Sequence, residues 1–173
     1  ARIYETDLLC ILYGDSAQQK ALRRMKYGAA GVMIGVLALL LLRSALIYFT
    51  NRWLPIDEMS RHPQWMEMRF AVLRVWEAAG GLAQLVWAIG CVVLAIKLKG
   101  LRHLPPVGRM GKFAVIFGAG VLLCTVPFAA ADPVYQYADY LIVPAGILLI
   151  GAAFLLYCCL LYRIRKRGKE RGE

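Results

Sequence analysis

Four apolar stretches, each about as long as a helix that crosses a bilayer, leave this chain little freedom of fold. They cover about 28–50, 70–96, 113–131 and 140–162 of the 173 residues. A helix rises 1.5 Å per residue, so about 20 residues cross the roughly 30 Å of hydrocarbon in a membrane. Hydrocarbon offers backbone amides no partner, which makes helices the economical way to cross. The expected fold is therefore an all-α integral membrane protein, a four-transmembrane-helix bundle. A composition that is 60% hydrophobic and a mean hydropathy of +0.57 agree with it, and no stretch reads as a second soluble domain.

The net charge of +10 is distributed in blocks that flank the spans. Lys20, Arg23, Arg24 and Lys26 precede the first. Lys97, Lys99, Arg102, Arg109 and Lys112 fill the link between the second and third. Arg163, Arg165, Lys166, Arg167, Lys169 and Arg171 form the tail. The link from span three to span four has Asp132 and Asp139 and no cation. By the positive-inside rule both termini and the middle link are cytoplasmic; the expected site is a bacterial cytoplasmic membrane. Charge arranged this way reads as topology, and no nucleic-acid partner is expected.

Three regions follow: a cytoplasmic amphipathic N-terminal segment over 1–27, the transmembrane domain over 28–162, and a basic tail over 163–173. In the first, Tyr4, Leu8, Ile11 and Leu12 share one helical face, suiting either a membrane surface or a protein partner. Gly14 is expected to end that helix, with Asp15 and Gln18 capping the next. Asp132-Pro133 reads as the N-cap and first residue of span four. Tyr135, Tyr137 and Tyr140, with Trp53 and Trp65, read as an aromatic belt at the outer interface. Pro127 and Pro144 are places for bends, and Pro105, Pro106 and Gly108 for a stiff connector.

Small residues mark faces where helices can approach closely. Gly31 and Gly35 form a GxxxG in span one, Gly80-Gly81 lies in span two, Ala114 and Gly118 in span three, and Gly151-Ala152-Ala153 in span four. Packing within the bundle and self-association are both open readings of these faces.

Catalytic chemistry has no visible seat. The two histidines, His62 and His103, lie outside the spans and on opposite sides, which does not suit a haem held in the bundle. There is no HExxH, no phosphate-binding loop and no CxxC among the five cysteines. No cofactor, no metal site and no catalytic residue is expected.

Ionisable residues within spans are the remaining signal, because charge in hydrocarbon is costly and usually faces the bundle interior. Arg43 lies in the outer third of span one. Glu77, with Arg74 three residues before it, lies in the outer third of the antiparallel span two. An Arg43–Glu77 ion pair is expected, with Arg74, Ser44 and Asp132 or Asp139 completing the cluster and Gln84 extending it inward. The alternatives are Arg43 snorkelling alone to the headgroups and a purely local Arg74–Glu77 pair. If the cluster is functional, its positive surplus suits an anionic ligand or lipid.

Two functions follow. One is a non-catalytic accessory or interaction subunit of a larger membrane complex, partnered by other membrane proteins and the bilayer. The other is a small homo-oligomeric transporter or channel with an outward-facing charged site. In layout the chain is similar to the small membrane subunits of binding-protein-dependent secondary transporters, a likeness that implies architecture alone.

Overall fold

A computed structural model of the chain describes residues 2–54, 63–100, 107–132 and 137–170. All four elements are helices: α1 (Arg2–Trp53), α2 (Pro63–Gly100), α3 (Val107–Ala131) and α4 (Tyr137–Glu170). Each is long and apolar enough to cross a membrane, the candidate spans being Leu22–Trp53, Gln64–Lys99, Met110–Ala131 and Ala138–Ile164.

Contacts set α1 antiparallel to α2 (Asn51 with Arg69, Arg43 with Gly80, Val32 with Gly90) and α3 antiparallel to α4 (Asp132 with Tyr140, Gly118 with Leu148). α1 packs on α2 and α3, and α4 packs on α2 and α3, so the square order is α1, α2, α4, α3. The end of α1, the start of α2, the end of α3 and the start of α4 lie together at one end of the bundle, the hairpin end. The end of α2 and the start of α3 share the opposite, terminal end with the parts of α1 and α4 that lead to the chain termini.

Burial recurs in steps of three and four residues, the spacing at which one stripe of a helix keeps facing its neighbours. On α1 the stripe is Val36, Leu40, Arg43, Ile47 and Thr50; on α2 it is Arg69, Trp76, Gly80, Ala83, Trp87 and Cys91. Off the stripe the surface remains apolar: Ile34, Ile96, Val115, Leu123, Ile142 and Leu149 are all more than 60% exposed. Only 17–28% of the most apolar window of each span is buried, so most of that surface suits hydrocarbon better than water.

The core is layered. Towards the terminal end, Val36, Leu40, Ala83, Trp87, Phe117, Val121 and Ile147 form one apolar cluster. Towards the hairpin end, Ile47, Trp76, Ala129 and Tyr140 form another. Glycine permits the tightest approaches: a Cβ at Gly90 would lie 2.9 Å from Val32 Cγ1, and one at Gly120 would lie 3.1 Å from Leu37 Cδ1.

Several local expectations differ from the structure. α1 runs unbroken through Gly14 and Asp15; one glycine in a helix costs only about 1 kcal/mol relative to alanine and does not oblige a stop. Side chains before Lys20 lie outside the described set, including the Tyr4/Leu8/Ile11/Leu12 face. Gly108 belongs to α3, and that helix and α4 continue through Pro127 and Pro144. Pro133, Tyr135, Pro105, Pro106, His62 and His103 lie outside the described residues.

Candidate functional site

Two polar layers divide the apolar core, and they differ in one respect: the outer one is satisfied internally and the inner one is not.

The outer layer is a clamp at the hairpin end. Asn51, from the last turn of α1, donates through Nδ2 to Asp132 Oδ2 at 2.7 Å, just past α3. Tyr140, in the first turn of α4, donates its hydroxyl to the same oxygen at 2.6 Å. Arg69 of α2 donates through Nη2 to Asn51 Oδ1 at 2.9 Å and through Nη1 to the Leu54 carbonyl. One buried chain of hydrogen bonds thus joins all four helices. Asn51 relays between a guanidinium and a carboxylate, so a hydrogen-bonded path links the Arg69 and Asp132 charges.

This clamp corrects one assignment and gives Asp132 its partners. Tyr140 is fully buried and belongs to the core, not to an aromatic belt: its ring packs beside Trp76 and Ile47 while its hydroxyl has an acceptor at hand. Asp132 accepts hydrogen bonds from Asn51 and Tyr140, and of the two aspartates Asp139 is the one whose charge reaches Arg43. Arg69 and Asn51 stand near the ends of their helices, where a polar residue is ordinary. The signal was their phase: Arg69 lies seven residues before Trp76, and Asn51 four after Ile47, each on the buried stripe.

The inner layer is Arg43 and Ser44, which lie between the two apolar clusters along α1. Arg43 occupies a stripe position between Leu40 and Ile47 and is only 6% exposed. The missing side chain of Gly80 makes room for it: a Cβ there would stand 2.9 Å from Arg43 Nε, 3.1 Å from its Cδ and 3.0 Å from Val143 Cγ2. The guanidinium stem therefore lies inside the bundle, against α2 and α4, instead of snorkelling outward. Arg43 Nε and Nη1 and Ser44 Oγ are buried and have no hydrogen-bond partner. Asp139 and, more weakly, Glu77 are the carboxylates whose charge reaches Arg43.

The expected Arg43–Glu77 ion pair is thus a longer-range attraction with no bond to Nε or Nη1. The reason is rotational. Trp76 and Gly80 hold the α2 stripe, which turns Glu77 and Arg74 onto exposed flanks. Asp139 is half-buried, one turn before Val143 on α4.

Gln84 has a different task from extending the charged cluster. Its Nε2 reaches the Val143 carbonyl at 3.4 Å, in space left by Gly146, whose Cβ would come within 2.6 Å of that nitrogen. One turn on, Trp87 Nε1 donates to the Ile147 carbonyl at 2.9 Å, and a Cβ added at Gly151 would lie 3.5 Å from its ring. Two side chains of α2 thereby strap the backbone of α4. Polar groups that find such partners hold helices together in an apolar medium.

A cavity of about 390 Å³ opens in the terminal half of the bundle, lined by all four helices. Trp87, stacked on Phe117 with ring centroids 4.3 Å apart, forms part of its wall. Among the described residues, no three His, Cys, Asp or Glu side chains assemble into a group able to hold a metal ion. Cys91 and Cys158 are buried free thiols within the spans.

The glycine faces divide sharply. A Cβ added at Gly80, Gly90, Gly120, Gly146 or Gly151 would meet close neighbours, whereas one at Gly31 or Gly35 would meet nothing within 4 Å. Among the described residues, the GxxxG of α1 is therefore not used for packing. Compared with models of known families, with curated proteins and with solved structures, the chain matches none.

Proposed function

We propose that this chain is a non-catalytic integral membrane protein that acts by association, as an accessory or interaction subunit of a larger membrane complex. The observation that carries this reading is the open glycine face of α1. Gly28, Gly31, Gly35 and Ala38 follow one another at steps of three and four residues and are exposed, and a Cβ at Gly31 or Gly35 would meet none of the described residues within 4 Å. In lipid, small-residue faces gain by close backbone approach, and such a face is most useful when another helix covers it. The length of α1 adds support: at 52 residues it is about 78 Å long against roughly 30 Å of hydrocarbon. The basic blocks favour a cytoplasmic terminal end, where the excess helix projects.

The test is a photo-crosslinking residue placed at Ala38 in the full chain within its native membrane. An adduct with a different polypeptide is expected from Ala38, with none from Leu149, an exposed position on α4. No adduct at Ala38 overturns the association.

A second reading has its own observation. The unpartnered nitrogens of Arg43 and the Ser44 hydroxyl, with Asp139 and Glu77 nearby, suit a small oligomeric transporter or channel handling an anion. Arg74 would flank its outer side. An adduct at Ala38 joining only copies of this chain favours that reading over the subunit.

A further inference from the structure

The cavity in the terminal half of the bundle has the depth, polarity and rim charge of a lipid site. On α1 its lining runs from Leu22 to Met33, and on α2 from Trp87 to Leu98. Both stretches are 11 residue steps, about 16 Å of helix, which matches one leaflet of a hydrocarbon layer about 30 Å thick. It is not closed, since Lys26, Phe113 and Ala152 line it and are themselves exposed. Its volume of about 390 Å³ is within the range of natural ligand pockets, about 300–1,000 Å³.

Its polarity is one-sided. Among the described residues, Lys26, near the terminal end, is the only charged one in the lining. At the deep end, Trp87 has committed its indole N–H to the Ile147 carbonyl and stacks on Phe117, so it offers an occupant apolar surface and no free donor. Met25, Met33 and Met110 in the walls are flexible and adapt to irregular chains. An occupant must therefore be apolar along its length and anionic at the end that meets Lys26. Arg23, Arg24, Lys97 and Lys112 lie exposed at the same end, and their charge favours the same partner.

We infer that this cavity holds one acyl chain of an anionic phospholipid from the leaflet at the terminal end, with the headgroup phosphate against Lys26. The site is separate from the open glycine face and does not depend on the proposed association.

The experiment reconstitutes the full chain in nanodiscs of phosphatidylcholine with a minor fraction of phosphatidylglycerol, then reads retained lipids by native mass spectrometry. Wild type is expected to retain phosphatidylglycerol in preference to phosphatidylcholine. Lys26→Gln should lower that preference about fivefold, the factor one lysine at a membrane surface commands over an anionic headgroup. Lys20→Gln, at an exposed residue outside the lining, should lower it much less. Ala152→Phe should reduce retention of both lipids by filling the cavity, with Lys26→Gln as the readout that leaves the packing untouched. Equal retention of the two lipids by wild type, or an unchanged preference in Lys26→Gln, overturns the inference.

Discussion

Replacing Asp132 by alanine removes the acceptor on which the hairpin end of the bundle converges. Its Oδ2 receives Asn51 Nδ2 at 2.7 Å and the Tyr140 hydroxyl at 2.6 Å, and its charge balances Arg69 through Asn51. Hydrogen bonds to a charged group are worth about 1.5–3 kcal/mol each in soluble proteins. In membrane proteins, side-chain hydrogen bonds average only about 0.6 kcal/mol, because the unfolded chain also finds partners in the bilayer. Two bonds lost thus bracket the cost between about 1 and 3 kcal/mol at the low ends of these ranges. Stranding the buried Arg69 charge pushes it towards the upper value, because breaking a buried pair costs about 3–5 kcal/mol. The expected loss is about 3 kcal/mol for Asp132→Ala, and about half of that for Asp132→Asn, which keeps one carbonyl acceptor. Reversible unfolding of the full chain in mixed micelles, followed by tryptophan fluorescence, measures both. Trp76 packs in the cluster beside the clamp and serves as a local reporter. An Asn51→Ala/Asp132→Ala cycle should show about 1 kcal/mol of coupling. If Asp132→Ala unfolds within about 0.5 kcal/mol of wild type, or if the two changes simply add, the clamp does not hold the helices as described.

Other outcomes follow from the same contacts. Gly80→Val should destabilise by about 1–3 kcal/mol, because its Cβ meets Arg43 and Val143. The neighbouring Gly81→Val, with nothing within 4 Å, should stay within about 0.5 kcal/mol of wild type in the same unfolding assay. In a double-mutant cycle, Arg43→Leu with Glu77→Leu should be additive within about 0.5 kcal/mol. Arg43→Leu with Asp139→Leu should show the larger coupling, since Asp139 acts on Arg43 more strongly. Gly31→Leu/Gly35→Leu should leave the unfolding midpoint unchanged while abolishing the crosslink at Ala38. A lower midpoint for that variant would show the face to be packed within the chain.

The four long apolar helices could be read from sequence because an apolar run of sufficient length is a local property. Which side of each span faces inward could not be read in the same way. In a water-soluble helix polarity distinguishes the two sides, but here Ile34 on the surface and Val36 in the core are equally apolar. Only residues out of place in hydrocarbon betray the inner stripe. Arg43 did so, and its inward position was legible. Its partner was not: matching Arg43 and Glu77 in depth ignored helix rotation, and the rotation that buries Trp76 and Gly80 carries Glu77 outward. The clamp escaped for another reason. Asn51, Arg69 and Tyr140 stand where spans end, and polar and aromatic residues there fit a membrane interface as readily as a buried network. The glycines were ambiguous for a similar reason. Gly80-Gly81 and Gly31/Gly35 look alike as small faces, and only the packing of the four helices shows that Gly80 is covered and Gly31 and Gly35 are open.

The central claim, association through α1 with a different membrane protein, is tested most directly by the mass of the particle released from native membranes into polymer discs. The chain alone is 19.3 kDa. A particle containing this chain and a second type of polypeptide in fixed ratio is expected. A particle of 19.3 kDa, or of a whole multiple of it, would contradict the claim.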